Sequence, residues 1–135
     1  AIKAVEFGLG TRYAMEFGSK VHDAIYYSKE KGYFRKTNHA GGIEGGMSNG
    51  EPILIQCTMK PIATLGKPLD SVDIVTKKAD KAAVERYDTC AVHAAGVVAE
   101  SVVAYELTSA MIEKFGADSL SELKRNYKGY IRTLQ

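Results

Sequence analysis

The segment from Thr37 to Gly50 has the most unusual composition in the sequence, because five of its last ten residues are glycine. Glycine loses more conformational freedom on folding than any other residue, so this density is costly unless another group must approach the backbone closely. Backbone N–H groups without a neighbouring Cβ can line an anion or a flat cofactor. A set of tight turns explains the same glycines, and composition leaves both interpretations open.

Two common nucleotide-binding fingerprints are absent from the glycines of the sequence. Neither Gly45 nor Gly50 is followed by the Lys-Ser/Thr pair of a phosphate-binding loop. The stretch Gly8-Leu9-Gly10 lacks the third glycine of a dinucleotide-binding turn. A ligand of these glycines would therefore be held by a different arrangement.

The segment from Met59 to Thr64 combines a cation with a hydroxyl at the end of a predicted strand. Pro61 cannot donate a hydrogen bond to a strand ladder, so the strand is expected to stop here. Lys60 and Thr64 then offer a positive charge and a hydroxyl in the following loop. The pattern is suited to a phosphate group, and an ordinary strand exit is the alternative.

Arg86 and Asp88 lie at the predicted junction between the last strand and a long helix. The planar guanidinium of Arg86 matches a phosphate or a carboxylate through two parallel hydrogen bonds. Asp88 is suited to cap the following helix or to accept a proton in catalysis, and one residue can do both.

The sequence indicates neither a metal site nor a nucleic-acid-binding surface. His22, His39 and His93 are far apart along the chain, and Cys57 and Cys90 form no C-x-x-C pair. The formal net charge is only +2 and the basic residues are dispersed, so nucleic acid is not an expected partner. The two cysteines are interpreted as buried small hydrophobic residues in a reducing cytoplasm.

Length and composition indicate a single soluble domain across residues 1–135. Hydrophobic residues make up 45% of the sequence and charged residues 25%, as in ordinary soluble proteins. No uninterrupted apolar run approaches the roughly 18 residues that span a bilayer, so no membrane partner is expected.

Strands are expected before helices, which favours an α+β fold. A short helix is predicted from Tyr13 to Asp23. The predicted strands are Ala4 to Phe7, Ala24 to Tyr27, Tyr33 to Lys36, Pro52 to Met59, Ser71 to Lys77 and Ala82 to Arg86.

Two helices are predicted in the remainder of the chain. From Thr89 onward, small and apolar residues recur at helical spacing on two stripes, which predicts a mostly buried helix. Gly116 is placed to end that helix. Ser119 and Glu122 form a capping box that predicts the start of a second helix.

Three stretches of the sequence, taken together, resemble the chorismate synthases. They are Arg35 through Ile53, Met59 through Leu65, and Arg86 through Val102, in the order and spacing of that family. The family's C-terminal signature is an arginine, a variable residue, an aspartate and a cysteine, followed by small residues and a glutamate. The matching residues are Arg86, Asp88, Cys90, Ala95, Gly96, Val97, Val98 and Glu100.

The resemblance implies a homotetrameric enzyme with a β-α-β sandwich fold, of which residues 1–135 are the C-terminal third. The implied reaction is a 1,4-elimination of phosphate and a proton that converts 5-enolpyruvylshikimate 3-phosphate into chorismate in the cytoplasmic shikimate pathway. Reduced FMN is the implied cofactor, although the reaction has no net redox change.

The same resemblance implies roles for individual residues. Asp88 matches the acid that receives the proton, and Arg86 matches a flavin-contacting arginine close to the substrate. Gly45 matches a contact from the glycine-rich turn, and Ala1 matches the end of an earlier flavin contact. The flavin loop is matched by Lys60, Pro61, Ile62, Ala63 and Thr64.

The sequence departs from the family pattern in two residues and in extent. Tyr87 stands where the family usually has Ser or His, which puts a small-side-chain contact to the flavin in doubt. His93 stands where Pro is common and is interpreted as a packing or helix-entry variant. The family's N-terminal motifs, with its essential histidines and most substrate-binding arginines, are not in this sequence, so residues 1–135 alone are expected to be inactive.

Two other functions are compatible with the residues themselves. A non-catalytic module could use the glycine-rich turn and Lys60 to bind a phosphate-bearing ligand or a flavin. A structural oligomerisation element could use the apolar helix, and it would show no ligand-dependent rise in melting temperature.

Overall fold

The computed structural model describes residues 1–134 and divides the chain into two compact units. The first unit runs from Ala1 to Pro61, and the second begins at Ile62. Short antiparallel strand pairs are followed by two helices. The predicted α+β class, with antiparallel strands before two helices, is confirmed.

The first unit consists of three antiparallel strand pairs and two short helical segments. The pairs are β1 (Ile2–Phe7) with β6 (Ile55–Met59), β2 (Ile25–Ser28) with β3 (Gly32–Arg35), and β4 (Ile43–Glu44) with β5 (Met47–Ser48). The helical segments are a 3-10 helix, Gly10–Met15, and one turn of α-helix, α1 (Gly18–Val21).

The β2–β3 hairpin contains the two strands predicted at Ala24 to Tyr27 and Tyr33 to Lys36, each shifted by one residue. Tyr26 lies opposite Phe34, with ring centroids 5.8 Å apart, and Tyr27 lies opposite Tyr33, with centroids 5.2 Å apart. Because successive side chains point to opposite faces, one aromatic pair stabilises each face of the hairpin.

The single helix predicted from Tyr13 to Asp23 is wrong. Glu16 and Phe17 are extended, with ψ angles of 156° and 146°, and they separate the 3-10 helix from α1. Gly18 begins α1 and is a poor residue for a helix interior, so it does not support a continuous helix. Asp23 lies beyond α1 and is buried.

A glycine clasp, which we define as Gly8, Gly41, Gly42, Pro52 and Leu54, brings three distant segments together through their backbones. The N–H of Gly8 donates to the Leu54 carbonyl at 3.1 Å, and the N–H of Leu54 donates to the Gly41 carbonyl at 3.0 Å. A Cβ on Gly41 would lie 2.3 Å from the Gly8 nitrogen, and one on Gly42 would lie 2.5 Å from the Pro52 oxygen. These two glycines therefore leave room for the close approach of other backbone segments of the same chain.

Asp23 is the polar centre of the first unit. Its carboxylate accepts hydrogen bonds from the Thr37 hydroxyl at 2.5 Å, the His39 N–H at 2.9 Å and the Ala40 N–H at 2.8 Å. Burial alone raises the pKa of Asp23, but these three donors and the charge of His39 outweigh burial, so the pKa lies below its usual range. The ionised carboxylate is thus part of the folded structure.

The second unit begins with a hairpin of β7 (Asp70–Val72) and β8 (Ala79–Lys81). The strand predicted from Ser71 to Lys77 ends early, because the Asp73 carboxylate accepts from the N–H groups of Val75 and Thr76 and turns the chain. The hydrogen bonds from the N–H and the hydroxyl of Thr76 lower the pKa of Asp73. The strand predicted from Ala82 to Arg86 is wrong, since that stretch is irregular.

The two helices are α2 (Val92–Phe115) and α3 (Leu120–Arg132). Gly116 ends α2 with a φ of 85°, and the Ser119 hydroxyl caps α3 by accepting from the Glu122 N–H at 3.2 Å. Both predicted helix boundaries are confirmed. The Phe115 ring packs edge-on against Tyr127, with centroids 5.6 Å apart, where the two helices meet.

Exposure differs from the sequence expectation at α2 and at both cysteines. No residue of α2 is buried among the described residues, although its apolar residues predict a mostly buried helix. Cys57 and Cys90 are exposed, so the prediction that they are buried hydrophobic residues is wrong.

By length and composition alone, α2 is long and apolar enough to cross a membrane. Two glutamates, Glu100 and Glu106, lie in its middle, where a bilayer makes charge costly.

Replacing Gly41 by alanine is expected to unfold the first unit or to lower its free energy of unfolding by more than about 3 kcal/mol. The φ of 65° costs about 1–2 kcal/mol for alanine, and the clash with the Gly8 backbone adds to it. Gly32→Ala is the matched control, because its φ is 67° but nothing lies within 4 Å of the added Cβ. Urea unfolding compares the two; equal losses would contradict a role for the clasp.

Acid should destabilise the first unit through Asp23. A carboxyl with a lowered folded-state pKa stabilises the fold fully above its unfolded pKa of about 3.9, and this stabilisation is lost as the pH falls through the folded value. Asp23→Asn should therefore lower the free energy of unfolding at pH 7 and flatten its decline below about pH 4. Urea unfolding between pH 2 and pH 7 measures both, and parallel profiles would exclude Asp23 as a source of acid sensitivity.

Candidate functional site

Ala1 and Lys60 are brought together at one end of the β1–β6 sheet. Ile2 pairs with Met59 in the antiparallel register, and the Lys60 N–H donates to the Ala1 carbonyl at 2.9 Å. The Lys60 side chain is exposed, and within residues 1–134 it forms no ion pair. A lysine cation is therefore available beside the first residue of the chain.

The loop after Lys60 has few side-chain groups that can donate to a ligand. Pro61 has no N–H, and Ile62 and Ala63 have apolar side chains, half-buried and exposed respectively. The Thr64 hydroxyl donates to the Arg86 carbonyl at 2.6 Å. Thr64 thereby attaches the loop to the segment that carries Arg86, and its oxygen is left as an acceptor.

Arg86 and Asp88 form an ion pair in the irregular segment before α2, with Arg86 Nε 3.0 Å from Asp88 Oδ1. The two side chains are 78% and 70% exposed, so the pair contributes little to stability. The contact lets the guanidinium orient the carboxylate while leaving its other donors open. The predicted helix cap at Asp88 is wrong, because α2 begins at Val92 and Ala91 precedes it without a side-chain cap.

Tyr87, the residue between this pair, covers Gly66. A Cβ on Gly66 would lie 2.6 Å from the Tyr87 ring, so the ring uses the space that the glycine leaves. The departure of Tyr87 from the usual family residue thus has a packing partner in this chain. His93, the other departure, is exposed in the first turn of α2.

Gly45 belongs to neither of these groups and lies at the turn between β4 and β5. Gly45 and Gly46 have φ angles of 58° and 77°, as a two-residue hairpin turn with two left-handed positions requires. Nothing lies within 4 Å of the position of a Cβ on either residue. The backbone of this turn is therefore open to a ligand, unlike that of Gly41 and Gly42.

A polar cluster beside the clasp was missed by sequence reasoning. Arg35 Nη2 lies 2.7 Å from Glu44 Oε2, and the Asn49 amide donates to the same oxygen at 2.8 Å. Burial, followed by the charges of Asp23 and Glu44, raises the pKa of Tyr13, so its hydroxyl is in the field of both carboxylates.

Arg35 Nε in this cluster, and His39 Nδ1, which lies 3.7 Å from Asp23 Oδ1, are buried without a hydrogen-bond partner among residues 1–134. The partners of Asp23 are 14 to 17 residues away along the chain, which no local pattern reveals. Among the described residues, no three His, Cys, Asp or Glu side chains are close enough to hold a metal ion.

The sequence model of the chorismate synthase family matches residues 1–112. The chorismate synthase of Geobacter metallireducens is 58% identical over 100% of this chain and 36% of its own length. Chorismate synthase 2 of Bacillus cereus is 59% identical over 93% of this chain and 32% of its own length.

A solved structure described as a crystal structure of chorismate synthase superposes with a TM-score of 0.74 at 38% identity, covering 99% of this chain and 32% of that one. The chain spans about a third of the length of the curated relatives it matches. Family match, sequence identity and fold agree along the chain, and on these grounds it belongs to the chorismate synthase family.

Proposed function

We propose that residues 1–135 are the C-terminal third of a chorismate synthase that converts 5-enolpyruvylshikimate 3-phosphate into chorismate and phosphate. The observation that carries this proposal is the family match over residues 1–112, supported by a relative 58% identical over the whole chain. In the 1,4-elimination one C–H bond and one C–O bond break, the existing double bond shifts and a second one forms, and a proton and phosphate leave. The substrate is anionic, so the site needs cations and a proton acceptor.

The residues present fit the phosphorylated flavin that the family resemblance implies. The Gly45 turn has open space over its backbone, and Lys60 is an exposed cation without an ion pair among the described residues. Ala1, Pro61, Ile62, Ala63 and Thr64 complete the proposed flavin-binding set. Reduced FMN, when bound, would supply electron density that assists the departure of phosphate without net redox change.

Arg86 and Asp88 are the proposed reactive residues. The Arg86 guanidinium binds an anionic group of the cofactor or substrate, and its Nε holds the Asp88 carboxylate at 3.0 Å. The second oxygen of Asp88 then receives the proton that leaves in the elimination. The hydrogen bond from the Thr64 hydroxyl to the Arg86 carbonyl holds the backbone of Arg86 next to the loop that contains Thr64.

We also propose that the complete enzyme is a cytoplasmic homotetramer, as in the family resemblance, without a nucleic-acid or membrane partner. Free cysteines at Cys57 and Cys90 suit a reducing compartment. The portion of the relatives' length that this chain does not span would supply the remaining site residues.

In the complete enzyme, Asp88→Asn should slow turnover by about 10²–10⁴-fold, because the amide cannot accept the proton. The FMN dissociation constant should stay within about twofold, since the Asn oxygen still accepts from Arg86 Nε. Steady-state assays of phosphate release and FMN titration measure the two effects. Asp118→Asn is the control, because Asp118 is exposed between α2 and α3. Wild-type turnover in Asp88→Asn would remove Asp88 from the mechanism.

Residues 1–135 expressed alone should bind FMN at least about 100-fold more weakly than the complete enzyme and should not form chorismate. The reason is that only part of the relatives' length is present, and that α2 exposes apolar side chains that favour self-association. Flavin fluorescence titration and size-exclusion chromatography test this. Tight 1:1 binding by the isolated chain would contradict the proposed division of the site, and FMN binding without turnover by the complete protein would favour a non-catalytic module.

A further inference from the structure

Asp23 is a buried charge to which the proposed mechanism gives no task. Its side chain has 0% solvent exposure, and all three of its hydrogen-bond donors come from Thr37, His39 and Ala40, within four consecutive residues. Burying a carboxylate is costly unless several donors compensate it.

The donors of Asp23 lie at the entrance to the glycine-rich segment. Asn38, between two of them, donates its amide to the Pro52 carbonyl at 2.8 Å and accepts from the Gly42 N–H at 2.8 Å. Gly41 and Gly42 then pack on the backbones of Gly8 and Pro52, where no Cβ fits. These contacts fix the path of the backbone from Asn38 to Gly42.

The Gly45 turn begins three residues after Gly42, with β4 between them. Glu44, the residue before the turn, is held by Arg35 at 2.7 Å and by Asn49 at 2.8 Å. Arg35 is itself paired in register with Ile25, which begins β2 two residues after Asp23. Both sides of the turn are thus connected to the neighbourhood of Asp23 through short, specific contacts.

We infer that Asp23 is a positioning residue whose carboxylate holds residues 37–42 so that the open backbone of the Gly45 turn faces a phosphorylated ligand. The inference rests on the proposed function, because the ligand is the flavin of that reaction. An Asn side chain cannot replace the carboxylate: with its oxygen at the Thr37 and His39 donors, its NH₂ group would face the Ala40 N–H, from which Oδ2 now accepts. Three donors to one buried carboxylate make the arrangement specific for charge rather than for size.

The test uses the complete enzyme and two separate readouts. Hydrogen exchange of residues 37–50, measured by mass spectrometry without flavin, reports the conformation of the segment. FMN titration, expressed per folded protein, reports the ligand site. In Asp23→Asn we expect exchange of residues 37–50 to rise at least about tenfold, with FMN affinity falling at least about tenfold, as for lost hydrogen bonds to a charged group.

Asp73→Asn is the matched control, because Asp73 also accepts two backbone hydrogen bonds but caps its own turn in the second unit. It should leave both readouts within about twofold of wild type. Thr37→Ser keeps the hydroxyl donor to Asp23 and should restore what Thr37→Val loses. That rescue would not follow if Thr37 only filled space.

Faster exchange together with unchanged FMN affinity would make Asp23 a merely structural residue and overturn the inference. Unchanged exchange would overturn it as well. If wild-type enzyme bound no FMN, the proposed function would fail, whereas the exchange data would still decide whether Asp23 holds the segment. If Asp23→Asn did not fold, the Thr37→Val and Thr37→Ser pair would give the same test through the same carboxylate.

Discussion

The first unit depends on close approaches between backbone segments, at positions where only glycine leaves enough room. A Cβ on Gly8 would lie 1.8 Å from the His39 carbonyl oxygen, and Gly41 and Gly42 are similarly confined. In this unit Val21 is a buried hydrophobic residue, and many other large apolar side chains are exposed. Hydrogen bonds and close backbone packing therefore join the distant segments of this unit.

This arrangement separates two kinds of glycine in one segment. Gly41 and Gly42 are buried and confined, whereas Gly45 and Gly46 have open space and adopt the left-handed angles of a hairpin turn. The first pair anchors the segment, and the second pair leaves backbone groups accessible. Neighbouring glycines in one segment therefore have different surroundings: Gly41 and Gly42 pack against other backbone segments, and Gly45 and Gly46 form a tight turn.

The features that the sequence predicted well are local ones. Ser119 and Glu122 are three residues apart, and the helix boundary that they encode is present as predicted. The β2–β3 hairpin and the end of α2 at Gly116 depend likewise on neighbouring residues. The network of Asp23 could not be predicted in this way, because its partners are 14 to 17 residues distant and their types are common.

Burial was the least predictable property, and α2 shows why. Its apolar side chains cover the circumference, yet none of its residues is buried among those the structure describes. The apolar pattern of a helix reflects its contacts in the complete molecule. The exposure of α2, in contrast, is its exposure in a chain that spans about a third of its relatives' length. The proposal that residues 1–135 are one part of a larger enzyme accounts for both observations.

Contacts of the neighbouring backbone, and not burial, restrain the proposed reactive pair of Arg86 and Asp88. Arg86 and Asp88 are exposed, so their ion pair alone would be weak in water. The hydrogen bond from Thr64 to the Arg86 carbonyl and the packing of Tyr87 over Gly66 restrain the residues that carry the pair. When a ligand and the rest of the enzyme exclude water, the same 3.0 Å contact becomes stronger because the local dielectric constant falls. An exposed pair on a restrained backbone can therefore form part of an active site without first stabilising the fold.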